Sequence, residues 1–294
     1  MNIVIRLLNP ALAAVLLVSP LKAQLSPALD SLQGAASLSL YDIEIPAAGE
    51  PGAAAVPLDL RGEALFNYLH QAAGPSQWQK AVIGYTEAKS YMYSTADNVG
   101  CGGGPGIVTF YSQVCVNGSS GNGNSYPERG DLNGDGVVDS FINAEHIWPQ
   151  GYFKEAYPMK SDLHHLSPTF MTPNSRRGNL PFAEVSNPSY GTSAGSLLGR
   201  EGFEPADAVK GNVARAMLYF VTMYHDKNIR QGMNYNNFWT SRVPMFLEWN
   251  RQDPPDAAER RRNDLIAAFQ GNRNPYIDDP SLAERIGAQV LASY

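Results

Sequence analysis

The chain has 294 residues, of which 44% are hydrophobic and only 17% are charged. This length can bury the core of one large domain or two small ones, and the low charged fraction excludes a coiled coil or a polyelectrolyte tail. The formal net charge is −6. A protein of this charge that acts on nucleic acid needs local basic patches, because its overall charge repels phosphate.

Residues 1–23 have the layout of a secretory signal peptide. The positively charged segment Met1–Arg6 precedes an apolar run over Ala11–Val18, and Leu21–Ala23 resembles a cleavage site. The apolar run is too short to span a bilayer as a retained helix; an uncleaved anchor is the alternative. We therefore expect a secreted protein without a membrane segment in its mature form, with retention in a periplasm left open.

Export bears on how the two cysteines, Cys101 and Cys115, are interpreted. They lie in a Gly-rich segment without His or further Cys at the spacing of a zinc site. In an oxidising compartment such a pair is most simply one disulfide, and two unpaired thiols are the alternative. Closing a loop of about 15 residues would stabilise the fold by roughly 3 kcal/mol on the chain-entropy account.

The N-terminal half contains few regular elements. Residues 24–57 are rich in Ala, Ser, Pro and Gly, which predicts a linker or a loosely packed N-terminal arm. Apolar residues at helical spacing predict a helix within Leu60–Ala73. Gly, Asn and Ser then interrupt residues 100–130, so this region is expected to be dominated by loops, with one strand-like run at Ile107–Tyr111.

The C-terminal part is predicted to be helical. Apolar residues at steps of three and four predict a helix from about Pro205 to His225 with one buried face. A second helix runs from Pro254 to Gly271. Its basic run, Arg260–Arg262, is interpreted as a solvated or ion-paired face in preference to a DNA contact. Residues 58–294 are thus expected to form one α-rich domain with a few short strands.

Three of the five histidines fall between positions 146 and 165, close to acidic, amide and arginine side chains. One lone His is more often structural than catalytic, but this clustering indicates a site. Glu145 and Asn174 can supply the oxygen ligands that Mg²⁺ takes, and a neutral His can accept a proton from water near pH 7. Arg176 or Arg177 could neutralise a phosphate oxygen. Together these groups predict hydrolysis of a phosphodiester.

A zinc site is the alternative for the same histidines, His146, His164 and His165. The chain contains no HExxH motif of a zinc protease and no P-loop.

Three ordered motifs resemble those of the endonuclease I family. They are Glu145-His-Ile-Trp-Pro-Gln150, Asp162-Leu-His-His-Leu-Ser-Pro168 and Asn174-Ser-Arg-Arg-Gly-Asn-Leu-Pro-Phe182, and the likeness extends from about Leu60 to Pro280. Members of this family are exported bacterial nucleases. The resemblance implies a mostly helical α+β fold with a small ββα-metal (His-Me) finger at the active site. It also implies an endonuclease that cuts DNA, and often RNA, with little sequence preference, leaving 5′-phosphates.

The motif positions also imply roles for individual residues. His146 matches the general base that activates the attacking water, while Glu145 and Asn174 match the residues that hold a single Mg²⁺. Arg177 matches an arginine for which phosphate contact and a scaffold role both stay open. The remaining motif residues are expected to support the site, mainly through packing and hydrogen bonds: Asp162, His164, His165 and Asn179.

The adjacency of Glu145 and His146 raises a geometric question. Neighbouring side chains of a regular strand face opposite sides. For both residues to act on one phosphate, the backbone has to twist, bulge or end at this point.

The segment before the first motif matches the start of an EF-hand-type calcium loop. Oxygen-bearing side chains stand at positions 1, 3, 5 and 9, with Gly at position 6, namely Asp131, Asn133, Asp135 and Asp139. The twelfth position is Ile142, which cannot supply the usual bidentate carboxylate. We expect a structural Ca²⁺ whose shell is completed by a remote carboxylate or a water; a plain Asx-rich turn is the alternative.

The expected partners are DNA and RNA, bound through the phosphate backbone by a monomer. Since the overall charge is negative, a few local cations have to contact phosphate, and the candidates are Arg176, Arg177, Lys210 and Arg215. A rival hypothesis is a secreted calcium-binding module for adhesion or surface attachment. In that case the loop over 131–139 carries the function and the histidines only pack.

Overall fold

The computed structural model describes residues 56–74 and 82–294. The predicted signal peptide (1–23) and nearly all of the predicted N-terminal arm (24–57) lie outside these residues. The described part combines many helices with three small antiparallel sheets, which confirms the predicted mixture of helices and short strands. None of its helices has the length and apolar character needed to cross a membrane.

Two helices open the described chain. Helix α1 (Gly62–Ala73) buries Leu65, Phe66 and Leu69, which confirms the predicted first helix. Helix α2 (Tyr85–Tyr91) continues into a π-helical turn, Met92–Ala96.

The Gly-rich region consists mostly of loops, as predicted, but it holds a sheet of two short strands where the sequence predicted one strand-like run at Ile107–Tyr111. Strands β1 (Gly106–Val108) and β2 (Cys115–Asn117) pair in antiparallel fashion. Cys101 and Cys115 form the predicted disulfide, with a Cα–Cα distance of 5.8 Å. The bond therefore ties the loop before β1 to the first residue of β2.

The three motifs meet in a strand–strand–helix unit. Strand β3 (Ile142–His146) pairs with β4 (Leu166–Phe170), and Glu145 lies opposite Ser167 in this antiparallel register. Helix α3 (Met171–Arg177) follows β4 directly and ends at Gly178, whose φ of 50° is a conformation that favours glycine. The first and third motifs thus lie on adjacent elements.

The rest of the chain packs around one central helix. A small sheet comes first, with strand order β5–β6–β7, made of β5 (Tyr190–Gly191), β6 (Leu197–Leu198) and β7 (Phe203–Glu204). The helices after it are α4 (Lys210–Tyr224), α5 (Tyr235–Phe238), α6 (Val243–Gln252), α7 (Ala257–Gln270), α8 (Pro275–Asp278), α9 (Leu282–Ile286) and α10 (Ala288–Leu291).

The prediction of one buried face on α4 was wrong. Nearly every residue of this helix is buried, because α1, α6 and α8 all contact it. A helix in the centre of a domain needs no polar face.

Helix α7 confirms the predicted second helix and its end. The Asp256 side chain accepts a hydrogen bond from the backbone N–H of Glu259 at the start, and Gly271 ends the helix with a φ of 92°. Within its basic run, Arg262 pairs with Asp97 at 2.8 Å, which fits the predicted ion-paired face.

Candidate active site

A cleft of about 870 Å³ lies beside the strand–strand–helix unit. Its walls come from α2 and the turn after it, the segment 120–124, the whole of β3, the end of the first motif and the third motif. Four of the predicted site residues line it: Glu145, His146, Asn174 and Asn179. The structure therefore brings the predicted base and both predicted Mg²⁺ ligands to one cavity.

Hydrogen bonds from the protein hold one of the two carboxylate oxygens of Glu145. Its Oε1 accepts hydrogen bonds from the Tyr111 hydroxyl at 2.6 Å and from Arg177 Nη1 at 2.9 Å. Its Oε2 has no hydrogen-bond partner among the described residues. Burial raises the pKa of the Glu145 carboxyl, and the Arg177 charge opposes that shift. One carboxylate oxygen is thus committed to the protein and the other is available to a cation.

His146 is the last residue of β3 and lies opposite Leu166 in the antiparallel register, yet it lines the same cleft as Glu145. Its ring Nε2 lies 3.0 Å from the carbonyl oxygen of Lys160. A carbonyl only accepts hydrogen bonds, so Nε2 carries the proton. Burial, and then the nearby His165, lower the pKa of His146 to about 3. The ring is therefore neutral at pH 7, and its Nδ1 holds the lone pair of a base.

Asn174 projects from α3 with its amide orientation fixed. Its Nδ2 donates to Oδ1 of Asn143 at 2.7 Å and approaches the carbonyl of Ala144 at 3.4 Å. Because the donor end is occupied, the carbonyl oxygen Oδ1 is left to accept or to bind a cation. An amide oxygen and a carboxylate oxygen in one cleft fit the ligand preference of a hard divalent cation such as Mg²⁺.

Arg177 lies beneath the cleft and is fully buried. Besides Glu145, its guanidinium donates to the carbonyl of His146 at 2.9 Å and to that of Ile147 at 2.6 Å. Arg177 does not line the cavity. Of the two roles left open by the sequence, these contacts favour the scaffold.

Two other residues that were predicted to contact phosphate form ion pairs within the protein instead. The prediction for these two residues was wrong. Arg215 is fully buried and pairs with Glu259 at 2.8 Å, while Lys210 pairs with Glu204 at 2.7 Å. Arg176 is exposed beside the ring of Tyr190, at 5.4 Å from its centroid, and it does not line the cleft.

Asp162 lies in the core and organises the second motif. Its Oδ2 accepts from the hydroxyls of Tyr219 and Tyr224 at 2.8 and 2.6 Å. Its Oδ1 accepts from the His164 backbone N–H and from Gln270. These bonds join the turn before β4 to helices α4 and α7, which is an architectural role.

The second and third histidines of the cluster are also tied to backbone carbonyls. His164 Nε2 lies 3.0 Å from the oxygen of Asn272, and His165 Nε2 lies 2.6 Å from that of Met159. Among the residues that the structure describes, no three His, Cys, Asp or Glu side chains are grouped so that they could hold a metal ion. The arrangement therefore does not favour the zinc alternative, and the carboxylates of the described 131–139 loop form no such group either.

Backbone N–H groups of the predicted calcium loop donate hydrogen bonds to acidic side chains in and beside the loop. Asp131 accepts hydrogen bonds from the N–H groups of Asp135 and Gly136. Glu128, which the sequence analysis missed, is buried and accepts from the N–H groups of Asn133 and Asp139.

The end of this loop is bonded to α3. Asp139 Oδ1 accepts from both the backbone N–H and the hydroxyl of Thr172, at 2.8 and 2.7 Å. Asp139 Oδ2 is buried without a hydrogen-bond partner in the described part of the chain. The loop thus supports the helix that carries Asn174.

Sequence reasoning also missed residues that line the cleft. Gln150 ends the first motif, and its side-chain Oε1 is buried there without a hydrogen bond among the described residues. Tyr85 and Lys89 of α2 line the opposite wall. No local motif marks α2, so only the tertiary fold places it at the site.

The chain belongs to the endonuclease I family, which it matches over residues 64–281. It is 36% identical over 165 residues to the extracellular ribonuclease of Bacillus subtilis (strain 168), covering 53% of this chain and 56% of that protein. It is 35% identical to the extracellular ribonuclease of Bacillus amyloliquefaciens (52% and 56% covered). It is also 30% identical to an extracellular deoxyribonuclease of Aeromonas hydrophila (45% and 58%). The chain thus spans somewhat more than half the length of these relatives. Family membership favours a nuclease over the adhesion module.

The buried histidines predict that acid destabilises the fold. Burial lowers the pKa of His146 to about 3 and that of His164 to about 4, and it also lowers the pKa of His165. In the unfolded chain these rings titrate near about pH 6.5. Between those values the unfolded state binds more protons, so this stabilisation is present above about pH 6.5 and is lost as the pH falls toward about 4.

Urea unfolding in EDTA at about pH 7, 6 and 5 measures this effect. Each fully shifted ring contributes a slope of about 1.4 kcal/mol per pH unit. His164→Gln removes one such ring and should flatten the slope by that amount. A free energy of unfolding that stays constant or rises toward about pH 5 in the unsubstituted protein would contradict the assignment.

Proposed function

We propose that this protein is an exported, metal-dependent endonuclease that hydrolyses phosphodiester bonds of DNA and RNA with little sequence specificity and leaves 5′-phosphates. One observation carries the proposal. His146, whose ring Nε2 is bonded to the Lys160 carbonyl, lines the same cleft as Glu145 and Asn174. On this account β3, β4 and α3 form the ββα-metal finger.

In the proposed reaction His146 Nδ1 takes a proton from the attacking water. The bond from Nε2 to Lys160 fixes the tautomer and the direction of the ring. The lowered pKa keeps the ring unprotonated at neutral pH, and it also makes the imidazole a weaker base than one whose pKa lies near the working pH. Arg177 positions both neighbours by bonding the Glu145 carboxylate and the His146 carbonyl.

Glu145 Oε2 and Asn174 Oδ1 are the atoms proposed to hold Mg²⁺. When bound, the cation would supply charge neutralisation for the phosphate in the transition state. Tyr111 and Arg177 keep Glu145 in place through Oε1, and Asn143 keeps the amide of Asn174 oriented. The two oxygens are therefore presented by buried, hydrogen-bonded supports.

Both kinds of nucleic acid are proposed as substrates. The relatives include proteins named extracellular ribonuclease and others named extracellular or periplasmic deoxyribonuclease. Contacts to phosphate carry no information on the sugar or on the base. We propose secretion through the 1–23 signal peptide, with the periplasm as the alternative destination, and action of domain 58–294 as a monomer.

His146→Ala should abolish nicking of a supercoiled plasmid. Loss of a general base costs about 10²–10⁴-fold in rate. The matched control is His70→Gln, which changes a histidine outside the cleft lining and should leave nicking unaffected. Circular dichroism confirms that both variants are folded.

The same assay tests the metal. EDTA should stop nicking by the unsubstituted protein, and added Mg²⁺ should restore it. Cleavage that persists in the His146→Ala variant would contradict the assigned base. No cleavage of plasmid or RNA by the folded, Mg²⁺-supplied protein would overturn the proposed function.

A structural Ca²⁺ in the loop over 131–139 is a second, separate proposal. The buried and unpartnered Oδ2 of Asp139 supports it, together with the oxygen spacing that ends at Asp139. The ion would stiffen a loop that is bonded to α3 through Thr172.

Calcium should therefore raise the midpoint of thermal unfolding after EDTA treatment. An excess of about 100-fold over Kd stabilises a one-site protein by about 2.7 kcal/mol, which corresponds to about 5 °C or more at this size. Glu145→Gln should keep the shift, whereas Asp139→Asn should lose it. An unchanged midpoint in the unsubstituted protein would favour the plain Asx-rich turn.

A further inference from the structure

Few basic side chains line the cleft, although it is proposed to bind nucleic acid. Among the described residues that line it, Lys89 is the single Lys or Arg. The basic residues that the motifs suggested are either buried in ion pairs, as Arg215 is, or lie outside the lining, as Arg176 does. The positive charge at the site therefore comes from α2, far from the motifs in sequence.

Lys89 is held next to the proposed base by one aromatic ring. Its Nζ lies 4.6 Å from the centroid of the Tyr85 ring, within the range of a cation–π contact. The Tyr85 ring in turn lies 5.5 Å from the His146 ring, centroid to centroid. The centroid of the same ring also lies 5.3 Å from Lys160 Nζ, but that lysine is paired with Glu155. The Tyr85 ring thus contacts both Lys89 and His146.

The charge of Lys89 is not neutralised within the described chain. No carboxylate pairs with it there, whereas Lys160, Lys210 and Lys227 each form an ion pair. A lysine that lines a cleft without a carboxylate partner can bind an anion without first breaking an ion pair.

The wall around Lys89 is polar but neutral. Ser90, Asn122 and Asn124 line the cleft beside it. The segment 120–124 approaches α2 closely because Gly121 carries no side chain: a Cβ there would lie 2.3 Å from the Ser90 hydroxyl oxygen. Such a wall offers hydrogen bonds to a nucleic-acid backbone without adding charge.

We propose that Lys89 binds a substrate phosphate next to the scissile one, with Tyr85 as the platform that positions its ammonium group. This inference rests on the proposed nuclease function and deepens it by naming the substrate contact. It also explains how a protein of net charge −6 binds a polyanion at this cleft. Affinity then depends on few phosphate contacts, so its dependence on salt is shallow.

Binding is measured in the His146→Ala background, where the substrate is not cut, with a fluorescein-labelled single-stranded oligonucleotide and Mg²⁺ over a series of salt concentrations. Lys89→Gln should weaken binding on the order of tenfold at low salt. It should also reduce the slope of log K against log[salt] by about 0.7, the share of one phosphate on a single strand. Lys89→Arg should retain most of the affinity and the slope.

Lys227→Gln is the matched control, because it removes a lysine outside the cleft lining. In the active protein, Lys89→Gln should raise KM and leave kcat nearly unchanged, which is the signature of a binding contact. If Lys89→Gln has the same salt slope and the same KM as Lys227→Gln, while the unsubstituted protein cleaves plasmid, the role of Lys89 is overturned. The proposed nuclease function would then still stand. Absence of cleavage by the unsubstituted protein would instead overturn the proposed function.

Discussion

The site depends on one buried guanidinium. Arg177, at the end of α3, bonds the carboxylate of Glu145 and the carbonyls of His146 and Ile147 at the end of β3. It therefore joins the helix and the strand that carry the proposed metal ligands. Because an arginine offers several donors in a rigid plane, a single side chain fixes two consecutive carbonyls and the neighbouring carboxylate. A lysine could not make this set of contacts.

Burial gives the ion pair between Arg177 and Glu145 a desolvation penalty. Removing two charges from water carries a penalty that only good geometry and further hydrogen bonds offset. Here Tyr111 adds a hydrogen bond to Glu145 at 2.6 Å, and the ring of Phe182 covers the guanidinium at 4.5 Å. The same low-dielectric surroundings lower the pKa of His146 and keep the base neutral. In the proposed account, substrate binding is left to groups on other elements, above all Lys89 of α2.

The sequence predicted the parts whose signals are local. The motif residues Glu145, His146 and Asn174 do converge on one cleft, the disulfide between Cys101 and Cys115 is present, and α7 ends at Gly271. Helical spacing also located α4, but it could not show that other helices surround it.

Tertiary contacts explain what the sequence could not show. Tyr111, Glu128 and Lys89 carry no motif. Tyr111 reaches Glu145 only after segments 34 positions apart pack together. The contacts of Glu128 and Lys89 are local, but only the fold places Lys89 at the cleft. Arg215 looked like a phosphate ligand because a sequence does not reveal that Glu259, 44 positions away, neutralises it in the core. Charge near a motif is therefore a weaker guide to substrate contact than charge that faces the cleft.

The proposed mechanism requires that the protein hold His146 as a neutral base with its proton on Nε2. Long-range ¹H–¹⁵N NMR of the imidazole nitrogens at about pH 7 tests it directly, since the two nitrogens of a neutral ring are distinguishable by tautomer. The structure predicts a protonated Nε2, bonded to the Lys160 carbonyl, and an unprotonated Nδ1. A ring protonated on Nδ1, or on both nitrogens, would contradict this account, because Nδ1 could not then accept the proton of the attacking water.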